Sequence, residues 1–221
     1  MTTALPPHAG EPTLRRGVAI DEAQLAVIMI HGRNAGSGNI LELASAIDHP
    51  DAIYLAPGAK GGTWYPTSFM SPIAQNEPGI TSGISVIHAL IDEVVDAGIP
   101  TERIALLGFS QGACLACTAV QRRPARYGGL LVYSGGLIGP PGTTWSSDGS
   151  LDGTPVFLGC SNVDFHIPEK RVRESAAHFQ KMGGDVTLRI YEGMGHLVNE
   201  DELAFTNELF AQLALTPRAP H

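Results

Sequence analysis

The segment 104–121 constrains this chain most. The apolar run Ile104-Ala105-Leu106-Leu107 leads into Gly108-Phe109-Ser110-Gln111-Gly112, and a helix-like stretch follows. Such a pattern reads as a buried strand, a sharp turn and a helix, with the serine hydroxyl left at the tip. At a turn that tight, a side chain two residues before or after the serine would collide with its surroundings. Both flanking positions therefore require glycine. The pentapeptide alone is a weak signal in a chain that holds 26 glycines. A glycine-rich strand-to-helix turn without chemistry would look the same, so context has to decide.

The context is a series of short apolar runs bounded by turn residues. Leu25-Ala26-Val27-Ile28-Met29-Ile30 ends at His31-Gly32, and Ile53-Tyr54-Leu55-Ala56 ends at Pro57-Gly58. Leu130-Leu131-Val132-Tyr133 ends at Ser134-Gly135, Val156-Phe157-Leu158 at Gly159, and the run 186–191 at Glu192-Gly193. Continuous apolar runs of this length suit strands buried on both faces of a parallel sheet. Residues 14–20 would add an antiparallel edge strand. Between the runs, 39–47, 79–97, 111–121, 169–182 and 201–213 read as helices. The clearest is 79–97, with Ile80, Ile84, Ile87, Leu90, Ile91, Val94 and Val95 on one face. Alternating strands and helices predict an α/β fold, a mostly parallel sheet with helices on both faces. One domain over 13–215 fits the length, with 1–12 and 216–221 as loose tails. The Gly-, Pro- and Ser-rich stretch 135–154 reads as one long loop. It is too short to hold a cap domain, so the site should be open.

Composition excludes several classes. The net charge of −8 comes with no basic run, which argues against nucleic acid or an anionic membrane surface as a partner. No stretch approaches the ~20 apolar residues of a membrane span, and residues 1–12 carry no apolar signal core. A cytoplasmic protein without stable membrane insertion is expected. The three cysteines, Cys114, Cys117 and Cys160, do not form a disulfide framework. Cys114 and Cys117 have C-x-x-C spacing but lie in the apolar helix after Ser110 without further metal ligands close in sequence, and read as core.

In an open parallel sheet, function collects at the carboxyl ends of the strands. A serine nucleophile needs a base for its proton and an acid to hold that base, and on this fold the chain order is serine, acid, histidine. Downstream of Ser110, Asp148, Asp152 and Asp185 precede strands, and Asp201 opens the last helix. Asp164 alone sits a few residues past a strand end. Of the later histidines, His178 lies within a helix, His221 is terminal and His166 reads as a surface loop residue. His196 follows the last strand in Glu192-Gly193-Met194-Gly195-His196. The expected triad is Ser110, Asp164 and His196. Backbone N–H groups of Gln111 and of Arg33, in the loop after the first central strand, are the expected oxyanion donors.

Several segments together resemble one family. They are Gly98-Ile99-Pro100-Thr101-Glu102-Arg103-Ile104, the Ser110 pentapeptide with Ala113, His31-Gly32, Thr63-Trp64-Tyr65, Asp164-Phe165-His166-Ile167-Pro168 and Gly193-Met194-Gly195-His196. In order and spacing the chain resembles the phospholipase/carboxylesterase family of α/β-hydrolases, which includes acyl-protein thioesterases and small bacterial carboxylesterases. The resemblance implies a Ser-Asp-His triad on Ser110, Asp164 and His196, hydrolysis of carboxylic esters or thioesters, no metal or other cofactor, and often a homodimer. Two positions depart from the family pattern. Arg33 and Asn34 stand where an apolar residue and glycine are usual, and Cys160-Ser161 replaces His-Gly. The Arg33 guanidinium either binds an acidic group of the substrate or points to solvent. Trp64, Tyr65, Phe69, Met70, Leu137, Ile138, Phe165 and Leu197 lie on loops expected around Ser110 and are candidates for an acyl pocket. The expected activity is a metal-free serine carboxylesterase acting on small-molecule esters with short to medium acyl chains. A thioesterase or lysophospholipase, and a non-catalytic binding protein on the same fold, are the alternatives.

Overall fold

In the computed structural model, residues 1–47 and 49–215 are described. Among the described residues, seven strands form one sheet in the order β1-β3-β2-β4-β5-β6-β7. They are β1 (Thr13–Gly17), β2 (Leu25–Ile30), β3 (Ala52–Pro57), β4 (Ile104–Phe109), β5 (Gly129–Tyr133), β6 (Pro155–Ser161) and β7 (Asp185–Tyr191). Only β1 runs antiparallel, pairing with β3 at the edge. The five helices are α1 (Ser37–Glu42), α2 (Gly79–Asp96), α3 (Gln111–Arg122), α4 (Glu169–Lys181) and α5 (Glu200–Leu215). The helix expected over 39–47 is shorter, with a 3₁₀ turn over Leu43–Ser45.

The strands are apolar without interruption because each has two covered faces. Ala26, Ile28 and Ile30 of β2, with Leu106 of β4 and Leu130 and Val132 of β5, pack on the side of α2, α3 and α4. Leu25, Val27 and Met29, with Ala105, Leu107, Leu131 and Tyr133, pack against residues of α1 and α5 on the other. This alternation is the period-2 geometry of a strand expressed between two helical layers. After β2 the chain adds β3 on one side, then crosses to place β4 on the other. The carboxyl ends of β2 and β4 thus border the sheet's switch point, where a crevice opens.

One expectation needs correction. Residues 1–12 are not a loose tail. Leu5 and His8 donate backbone N–H bonds to Ser85 Oγ at 2.8 Å and Ser82 Oγ at 2.9 Å on α2. The His8 ring is buried, donating through Nε2 to Trp64 O at 2.9 Å. The 216–221 tail lies outside the described residues. The long loop after β5 is fastened by a buried cation. Arg171 of α4 is 1 % exposed and donates to Leu137 O at 2.9 Å and Gly139 O at 2.7 Å. Its guanidinium lies 5.1 Å from the Trp145 ring centre. Among the described residues, no helix is long and apolar enough to cross a membrane.

At the start of α5, Asn199 and Glu202 cap the helix reciprocally. Glu202 N–H donates to Asn199 Oδ1 at 2.9 Å, and Asn199 N–H donates to Glu202 Oε2 at 3.0 Å. Glu202 is fully buried and its Oε1 has no partner. Burial pushes its carboxyl up to about 7, against the opposing pull of the Asn199 N–H. Between the ordinary value of 4.5 and about 7, the unfolded chain sheds a proton that the folded protein retains. Stability therefore falls as pH rises through that window, by about 3 kcal/mol, and levels off above it. Glu202→Gln keeps the capping acceptor and should remove this loss. Urea melts at pH 5 and pH 8 should show the variant gaining on wild type at pH 8. An equal difference at both pH values would contradict the assignment.

Candidate active site

Ser110 stands between β4 and α3 with φ 56° and ψ −119°, a backbone conformation that residues with a Cβ rarely adopt. The neighbouring backbone enforces it. A Cβ on Gly108 would lie 2.6 Å from Ala113 N, and one on Gly112 would lie 2.1 Å from Ile30 O. Both glycines are thus required by close backbone packing of the turn against α3 and the end of β2. The helix starts at once, with Cys114 N–H donating to Ser110 O at 3.0 Å. That leaves the Gln111 N–H at the first helical position, where an α-helix supplies no acceptor.

His196 Nε2 is 2.8 Å from Ser110 Oγ, and its Nδ1 is 2.7 Å from Asp164 Oδ2. The residues picked by strand-end position meet in space: Ser110 from the end of β4, Asp164 from the loop after β6, His196 from the loop after β7. The Asp164 side chain is fully buried and the His196 side chain 21 % exposed. Burial pushes the Asp164 carboxyl up, but hydrogen bonds from His196 and from the N–H groups of His166 and Ile167 outweigh this and hold it below its ordinary value. Asp164 is therefore an anion that only accepts. This places the imidazole proton on Nδ1 and leaves Nε2 to accept from the Ser110 hydroxyl. Both loops are braced by Ser161 Oγ, which accepts from Val163 N at 3.2 Å and Gly195 N at 3.1 Å.

Two cavities adjoin near the serine, which lines the first of them. One, of about 540 Å³, is lined by Ser110 and Gln111, by Gly32 to Ala35, by 65–69, and by His166, Ile167 and Cys114. The other, of about 340 Å³, is lined by Ile40 and Leu43 near α1 and by Leu197 and Val198 beyond the histidine. Phe109 and His196 line both. Their rings lie 4.9 Å apart, so the seam between the cavities passes beside the serine.

Of the expected pocket residues, Tyr65 and Phe69 line the larger cavity and Leu197 the smaller. Trp64, Leu137, Ile138, Met70 and Phe165 line neither. Trp64 is fully buried, donating from its indole to His31 O at 2.9 Å. Leu137 and Ile138 are core, Met70 packs against the core, and Phe165 is 97 % exposed. Apolar character near a strand end does not tell core from cavity wall. His166, read as a surface residue, lines the larger cavity and sets its ring edge-on to His196 at 4.9 Å. The Asp164 spacing carries a signal for it: an Asp accepting the N–H two residues on, here at 2.8 Å, turns the chain back toward the site. The Gln111 side chain also escapes sequence reasoning. Its Oε1 accepts from Trp64 N at 2.8 Å and its Nε2 donates to Tyr65 O at 2.8 Å, tying the cavity wall to the turn.

Arg33 lines the larger cavity. Its Nη1 donates to Pro66 O at 2.9 Å, its Nη2 donates to Thr67 O, and its guanidinium lies 5.9 Å from the Tyr65 ring centre. Asn34 donates its N–H to Gly62 O at 2.8 Å. The two residues that depart from the family pattern thus fasten the loop after β2 to the segment 62–67.

A mostly parallel sheet, helices on both faces and a strained serine turn on the central strand define an α/β-hydrolase fold. The profile of the phospholipase/carboxylesterase family matches residues 18–213, and the chain belongs to that family of hydrolases. The chain is 28 % identical over 222 residues to acyl-protein thioesterase 1 of Eremothecium gossypii, covering 87 % of this chain and 91 % of that protein. It is 30 % identical over 151 residues to a probable carboxylesterase of Oryza sativa subsp. japonica, covering 66 % and 56 %. The crystal structure of a phospholipase/carboxylesterase from Dyadobacter fermentans superposes with a TM-score of 0.87 at 34 % identity, covering 93 % of this chain and 98 % of that one.

The turn at Ser110 stores strain that glycine would release, at about 1 kcal/mol or more. Ser110→Gly should therefore melt above Ser110→Ala in a thermal scan. The reverse order would show that the serine backbone is relaxed.

Proposed function

We propose that this chain is a serine carboxylesterase acting on short- to medium-chain esters through an acyl-enzyme. The observation that carries the reading is the hydrogen-bonded series from Asp164 through His196 to Ser110. His196 Nε2 takes the Ser110 proton as Oγ attacks the ester carbonyl carbon. Charge develops on the carbonyl oxygen, and the backbone N–H groups of Gln111 and Arg33 stabilise it. As the bond to the leaving alkoxide breaks, His196 returns the proton to it. Water then gives a proton to His196 and attacks the acyl carbon; as the acyl–Oγ bond breaks, His196 passes that proton to Ser110 Oγ and the acid leaves. Asp164 stays ionised throughout and holds the imidazole tautomer and charge.

A thioester substrate would pass through the same steps, and the likeness to acyl-protein thioesterase 1 favours it as a second reading. The measurement is a series of p-nitrophenyl esters of increasing acyl length, with matched thioesters. Wild type should hydrolyse the short and medium esters. Ser110→Ala and His196→Ala should each fall by about 10³-fold or more in kcat with the fold intact. Asp164→Asn should do likewise by freeing the wrong tautomer. Wild-type rates retained by Ser110→Ala would refute the mechanism. Inertness of the wild type toward every ester and thioester would favour a binding protein.

A further inference from the structure

The protein is acidic, with 22 Asp and Glu against 14 Lys and Arg. Its larger cavity inverts that balance: among the lining residues there is no carboxylate, and there are one arginine and two histidines. The triad carboxylate, Asp164, is turned away and bonded to His196. Arg33 takes part in no ion pair among the described residues. Its two bonds go to neutral carbonyls, Pro66 O and Thr67 O, so this exposed guanidinium has no carboxylate partner and faces solvent at the cavity mouth. Of its five N–H donors, three remain beyond those two bonds. The carbonyls and the Tyr65 ring already hold the guanidinium in place, so little side-chain freedom is lost when it binds a ligand. His166 brings an imidazole to the cavity from a different loop, after β6. The smaller cavity also has two histidines, His31 and His196, with Asn39, but no Lys, Arg, Asp or Glu, and Ile40, Leu43, Leu197 and Val198 give it an aliphatic wall.

We propose that the preferred substrate is an ester carrying a carboxylate, with the carboxylate in the Arg33–His166 cavity and its apolar portion in the Ile40–Leu43–Leu197–Val198 cavity. The assignment rests on the serine esterase reading and adds the substrate class. The carboxylate belongs either to the acyl group or to the alcohol, and the two sources are separable by synthesis. Arg33 acts here as a specificity-determining residue through its side chain, distinct from its backbone N–H.

The test compares kcat/KM for matched ester pairs. p-Nitrophenyl hydrogen adipate against p-nitrophenyl hexanoate places the carboxylate on the acyl side. The butyrate of 3-hydroxy-4-nitrobenzoic acid against o-nitrophenyl butyrate places it on the alcohol side. Wild type should prefer the anionic member of at least one pair by about tenfold, the worth of a charge-assisted hydrogen bond. Arg33→Gln should remove that preference mainly through KM, Arg33→Lys should restore part of it, and added salt should weaken it. Because the readout is a ratio, a general loss of activity in a variant cancels. An active wild type without preference in either pair, or a preference unchanged in Arg33→Gln, overturns the inference and leaves the esterase reading standing. A wild type inert to all four esters overturns the esterase reading and the inference together.

Discussion

The contact between α3 and the end of β2 governs the site. Gly112 approaches Ile30 O so closely that no Cβ fits between them. That approach forces Ser110 into a positive φ, lifts its hydroxyl off the sheet, and brings the free first N–H of α3 beside the loop carrying Arg33. The position of the Ser110 hydroxyl and the free first N–H of α3 are products of one packing contact. The sheet makes the contact rigid, since β2 and β4 are adjacent parallel strands buried on both faces.

The other partners arrive by strand ends. β6 and β7 are neighbours, and their carboxyl-end loops are joined by Ser161, so Asp164 and His196 are positioned as one unit. The Asn199–Glu202 cap closes the same loop from the side of α5. This unit faces a closely packed turn, and the bonds of 2.7 and 2.8 Å are already formed across it. Preorganisation of this kind is what electrostatic catalysis needs from a scaffold.

The sheet was legible because its strands are buried on both faces and so write themselves as unbroken apolar runs between turn residues. The grouping of Ser110, Asp164 and His196 was legible because strand ends leave few acids and histidines on the right side of the sheet. The N-terminal segment was not, since backbone N–H groups bonded to Ser82 and Ser85 leave no periodic pattern in residues 1–12. Arg171 reads as one charge in an amphipathic helix, and only the chain folding back over it reveals its burial. Trp64 and Tyr65 are neighbours with the same aromatic character, yet one is core and the other cavity wall. That difference depends on which way each side chain points, which residue type does not encode. The sequence leaves Arg33 to bind substrate or to face solvent; in the structure it is exposed and also tethers the wall of the cavity it lines.

The central claim is that Ser110 is the activated nucleophile. It is tested most directly by treating the native protein with a fluorophosphonate, which phosphonylates an activated serine, and mapping the adduct by peptide mass spectrometry. The account predicts one stoichiometric adduct on Ser110, lost in Ser110→Ala and strongly slowed in His196→Ala. Failure of the folded wild-type protein to react, or an adduct on another residue, would contradict it.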